Sequence, residues 1–270
     1  MAKSSPLLEE TTSGKPAQTK NCIAHTFFCL LPLLAGGLVL LTMVELGNQN
    51  GMEPSDQSLA QAFAEPSLPY PNWPILILLL VSGSLMIVVT LARNIQVQVY
   101  FKRKSLQHGT EQGNYTCGLW LLNASSALFN IVAYSAWMAL GFLNGNSDNA
   151  QVVELHDTAA LIFVVGSSLY SALQIVLLFR QEQYYFLYKA LIAIVGLASL
   201  ISLGIYAATD FAHHLYVWAG VALSATMIML FAILFHADDI DNELSAFLAH
   251  ICCCFCCCCR ARHKSDHRGG

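Results

Sequence analysis

Long apolar runs alternate with short polar stretches along this chain. Six of them lie near 26–46, 74–92, 118–143, 158–179, 190–208 and 215–235. Each approaches or exceeds the roughly 18–20 residues that cross a hydrocarbon core as a helix. The pattern predicts an all-α, polytopic membrane protein with six transmembrane helices. It divides the chain into a disordered N-terminal tail (1–23), a six-helix transmembrane domain (24–236) and a C-terminal tail (237–270) that is acidic, then Cys-rich, then basic. The first residues are polar and lack the apolar core of a cleavable signal peptide, so the first run is expected to act as a signal anchor.

Charge orients the runs. Lys3, Lys15 and Lys20 precede the first, while Arg93, Lys102, Arg103 and Lys104 follow the second. Arg180 and Lys189 flank the connection after the fourth, and Arg260, Arg262, Lys264 and Arg268 lie in the C-terminal tail. Segments 47–73, 144–157 and 209–214 contain neither lysine nor arginine. Cytosolic segments retain positive charge, so the partition predicts both termini in the cytosol (N-in, C-in), with 93–117 a basic cytosolic loop. The opposite side is acidic, and Tyr70 and Trp73 suit its interfacial aromatic belt.

Composition agrees with a membrane protein. Only 11% of the 270 residues are charged and 56% are hydrophobic, whereas soluble domains carry about 25% charged residues. The formal net charge of −4 and the lack of a broad basic face argue against nucleic-acid binding. The sequons at Asn114 and Asn123 fall on the cytosolic side and inside a span, so neither is expected to carry a glycan.

Three sets of residues are candidates for chemistry. Cys252, Cys253, Cys254, Cys256, Cys257, Cys258 and Cys259 are seven of the 10 cysteines and stand beside a basic stretch. Juxtamembrane cysteines in that setting suit S-palmitoylation, while contiguous thiols diverge and suit a tetrahedral metal badly. Redox chemistry and plain interfacial packing are the alternatives. The second set is intramembrane: Asn123 and Asn130 share a face with Tyr134 in the third run, and Gly166, Tyr170 and Gln174 repeat at four in the fourth. Such groups are expected to face inward, as helix-to-helix glue or as the lining of a cavity for a lipid head group. Gly36, Gly37, Gly196 and Gly204 suit close helix packing. The third set, His156, Asp157, Asp210, His213 and His214, gathers at the non-cytosolic mouths of the last three spans. Imidazoles with carboxylates there are compatible with metal-assisted hydrolysis of a lipid, but also with helix caps or pH sensing. With no spaced ligand signature or catalytic motif, no cofactor, metal or catalytic residue is assigned.

Three segments carry a resemblance: GLWLLNASSALFNIVAYS (118–135), LHDTAALIFVVGSSLYSALQIVLLFR (155–180) and FHADDIDNEL (235–244). Together with the six-span layout they resemble the damage-regulated autophagy modulator (DRAM) superfamily, which includes FRAG-type GPI-anchor remodelling proteins, over roughly residues 26–243. The resemblance implies a non-enzymatic, multi-pass membrane regulator of autophagy or membrane-lipid signalling in an endolysosomal or plasma membrane. It implies membrane lipids and a cytosolic adaptor or lipid kinase as partners. The alternatives are a lipid or GPI-anchor remodelling enzyme built on the His/Asp set, and a channel component.

Overall fold

The computed structural model describes residues 22–50, 73–108, 113–143, 149–208 and 214–237. They form six helices: α1 (Cys22–Asn50), α2 (Trp73–His108), α3 (Gly113–Leu140), α4 (Ala150–Arg180), α5 (Phe186–Ala208) and α6 (His214–Ala237). All six are long and apolar enough to cross a membrane, and among the described residues there is no strand. The chain is an all-α, multi-pass architecture, as the apolar runs predict.

The helices overshoot the runs. α2 has 36 residues, about 54 Å at 1.5 Å per residue, against a hydrocarbon core of about 30 Å. Residues 93–108 continue this helix, which corrects the expectation of a loop beginning at Arg93. Hydropathy detects where the environment changes, not where the backbone hydrogen bonds end. Nothing in RNIQVQVYFKRKSLQH breaks a helix: it contains neither Gly nor Pro. α4 likewise starts at Ala150 rather than near 158, where the Asn149 side chain caps it by accepting from the Gln151 N–H at 3.0 Å. That bond satisfies one of the orphan donors of the first turn.

The helices close into a ring in chain order, each packing on the next and α6 returning to α1, with a lesser contact of α4 on α6 across the middle. Trp137, Tyr134, Tyr170, Phe163, Phe231 and Met86 fill the interior and are almost wholly inaccessible. Phe163 meets Tyr134 edge-on (centroids 5.6 Å) and Trp137 at 4.7 Å, geometries favoured by the ring quadrupole. The Trp137 indole donates to Ser82 Oγ at 3.1 Å, which satisfies the one polar group of a buried tryptophan. Trp73, at the start of α2, is exposed, as an interfacial belt residue requires.

Helix contact is closest where a glycine faces backbone. A Cβ on Gly166 would lie 2.9 Å from the Phe129 carbonyl oxygen, and one on Gly36 would lie 2.9 Å from that of Ala225. Gly196 also packs tightly, whereas Gly37 and Gly204 face open space, so only some of the glycines read as packing residues from the sequence have that role.

Candidate functional site

The polar residues of α3 and α4 converge. Asn123, Asn130, Tyr170 and Gln174 are all buried. They lie on the inward stripe of α4, which runs His156, Phe163, Gly166, Ser167, Tyr170, Gln174, and on the facing side of α3. Asn130 donates to Thr90 Oγ1 of α2, and Gln174 Nε2 donates to Ser126 Oγ of α3 at 2.9 Å. The Tyr170 hydroxyl is buried with no hydrogen-bond partner.

The centre of this cluster is Arg93, a residue the sequence reading placed in a loop. It is completely buried, about 30 Å along α2 from Trp73 at the helical rise. Its Nε donates to Gln174 Oε1 at 3.3 Å, its Nη1 to Gln96 Oε1, and its Nη2 to Gln181 Oε1 at 2.7 Å. The guanidinium lies 5.3 Å from the centroid of the Phe231 ring, a cation–π contact. Gln96 extends the network by donating to Tyr184 Oη at 3.1 Å and to the Leu234 carbonyl at 3.0 Å. One side chain thereby ties α2 to α4, to the α4–α5 connection and to α6, and through Gln174 to α3. All three acceptors are neutral amide oxygens, with no carboxylate among them, and they carry the charge. The planar fork of arginine suits such a divergent set of acceptors.

Toward the outside of the same end, Lys104 pairs with Glu182 at 2.7 Å. The Tyr100 hydroxyl accepts from the Glu182 N–H at 2.9 Å. These contacts hold the protruding turns of α2 against the connection that follows α4. Tyr185, Phe186 and Leu187, just beyond, are strongly exposed and form an aromatic and aliphatic fringe suited to an interface.

No family model matches the chain, and neither a curated protein nor a solved structure matches it. The functional reading accordingly rests on the residues themselves.

Of the His/Asp set, His156 and Asp157 stand near the start of α4, at the opposite end of the bundle. His156 is buried in the second turn of α4, where a helix cap would not be, and neither ring nitrogen makes a hydrogen bond. Its Nδ1 lies 3.6 Å from Asp157 Oδ1, and Asp157 is largely exposed. His214 begins α6, while Asp210 and His213 lie outside the described residues. Among the described residues, no three His, Cys, Asp or Glu side chains gather to hold a metal. Cys252, Cys253, Cys254, Cys256, Cys257, Cys258 and Cys259 also lie outside the described residues. Of the remaining cysteines, Cys29 is half-buried in α1 and Cys117 is exposed in α3, and neither is in a disulfide.

Proposed function

We propose that this chain is a non-enzymatic, multi-pass membrane regulator of the DRAM-like type, its lysine- and arginine-bearing end in the cytosol. Its bundle holds a fixed shape in an endolysosomal or plasma membrane and presents the protruding part of α2, with the acylated C-terminal tail, to lipid or to a cytosolic adaptor. The observation that supports this reading is the Arg93 network. The Arg93 guanidinium, the one charge in this interior cluster, is committed to the amide oxygens of Gln96, Gln174 and Gln181, and Gln96 and Gln174 bond on to α6 and α3. Polar pairing of that kind holds helices together in lipid.

A second reading, a lipid or GPI-anchor remodelling enzyme, has one observation in its favour: a buried imidazole, His156, with unpartnered nitrogens beside an exposed Asp157. One experiment separates the two. Replacing His156 and His213 together by alanine in cells is expected to leave membrane-lipid and GPI-anchor profiles unchanged, read by lipid mass spectrometry. Accumulation of a lipid or anchor precursor would overturn the regulator reading. The tail component is tested by hydroxylamine, which is expected to strip acyl mass from the cysteine cluster.

A further inference from the structure

Where α2 and α3 leave the bundle at its basic end, they part around a cavity of about 290 Å³. Gln98, Lys102, Ser105 and Asn123 supply its polar lining, and Phe101 and Trp120 stand among its apolar walls. It opens outward, because Lys102 and Trp120 are both exposed. Lys102 stands about 44 Å along α2 from Trp73, which is the height of the lipid head groups across a bilayer of about 40–45 Å including its polar layers.

Asn123 makes this more than a surface groove. Its amide nitrogen donates twice to Asn94, at 2.9 Å to the carbonyl oxygen and at 2.6 Å to Oδ1. Asn94 Oδ1 also accepts from Gln98 Nε2 at 2.8 Å. Two acceptors on the nitrogen side fix which way the amide points. The Asn123 Oδ1 is left buried, with no donor, on a residue that lines the cavity. A buried acceptor without a donor is rare in folded proteins. The cavity therefore has a buried acceptor without a donor beneath its floor, a cation at its mouth and an indole at its rim.

We propose that this cavity binds the head group of an anionic glycerophospholipid that carries a free hydroxyl, with the phosphodiester at Lys102 and the hydroxyl donating to Asn123 Oδ1. A choline head group has no donor for the asparagine and brings its own cation to the lysine. A free phosphate has no use for the apolar walls. This inference deepens the lipid-facing role in the reading above and rests on the chain being embedded in a membrane.

The test uses the full-length chain in detergent, mixed with phosphatidylglycerol, phosphatidylmethanol or phosphatidylcholine, and counts retained lipid by native mass spectrometry. Phosphatidylglycerol is expected to be retained about tenfold over phosphatidylcholine, the ratio that one charge-assisted contact commands. Phosphatidylmethanol, which has the anionic phosphodiester without the hydroxyl donor, is expected to fall between them. Lys102→Glu, at an exposed position, is expected to abolish the preference with folding intact. Asn123→Leu is expected to remove the difference between phosphatidylglycerol and phosphatidylmethanol. Equal retention of all three lipids by the native chain would overturn the proposal, as would an undiminished preference in Lys102→Glu. Displacement by millimolar glycerol 3-phosphate would assign the cavity to a soluble phosphate and overturn the lipid occupant. Resistance to alkaline extraction from vesicles is measured alongside. A chain that resists extraction but does not discriminate among lipids defeats this inference alone, whereas a chain that is extracted defeats the membrane reading itself.

Discussion

Three glutamine oxygens surround the Arg93 guanidinium where a carboxylate would ordinarily stand. Removing the guanidinium strands these buried amide oxygens, and a buried acceptor left without its donor costs about 1–3 kcal/mol. Arg93→Met is therefore expected to lower the unfolding midpoint of the detergent-solubilised chain strongly, followed by thermal size-exclusion chromatography. Arg93→Lys is expected to restore only a minor part, because a single ammonium cannot reach three divergent acceptors. Trp137→Phe removes the bond to Ser82 and is expected to cost about 1 kcal/mol in the same assay. The sequence revealed half of this cluster. Asn130, Tyr170 and Gln174 stood out because a polar side chain inside an apolar run must find a partner. Arg93 did not, because a cation at the end of an apolar run marks the membrane boundary in any hydropathy reading. Its partner Gln181 is 88 positions away, beyond the reach of any local pattern.

At the scale of the helix, contact distance is set by what has no side chain. Gly166 meets backbone and Ala133, neither of which can swing aside. Overpacking such a site costs about 1–3 kcal/mol, so Gly166→Ala is expected to lower thermal stability. Gly204→Ala, with nothing within 4 Å, is expected to leave it unchanged. The α3–α4 seam would also register Gly166→Leu as a loss of folded material. The Lys104–Glu182 pair, by contrast, has an exposed carboxylate. A double-mutant cycle is expected to find a coupling below about 1 kcal/mol. Span number was legible because a run of apolar residues answers directly to bilayer thickness. Helix ends were not: the Asn149 cap and the continuation of α2 past Arg93 depend on hydrogen bonding, to which hydropathy is blind. The roles of the glycines were equally hidden, since Gly36 and Gly37 are adjacent in sequence and only one of them faces a neighbouring helix.

For the whole molecule, the distribution of lysine and arginine makes a topological prediction. In a background without other reactive thiols, Lys102→Cys is expected to react with an impermeant maleimide only when the cytosolic face is opened. Trp73→Cys is expected to react from the opposite side. Both positions are exposed and lie near opposite ends of α2. The reverse labelling pattern would invert the molecule and move the His/Asp set into the cytosol.

The unbroken course of α2 has a mechanical consequence. About 22 Å of unbroken helix runs from Arg93 to the end of α2, and its inner turns stay seated, with Val97 and Phe101 buried against Leu119 and Leu177. The geometry is that of a splint, clamped at the guanidinium and again at Tyr100 and Lys104. A lateral push on the outer tip, from a bound protein or a shift in the surrounding head groups, bears first on the Glu182 clamp and through it on the α4–α5 connection, instead of being dissipated in a slack loop.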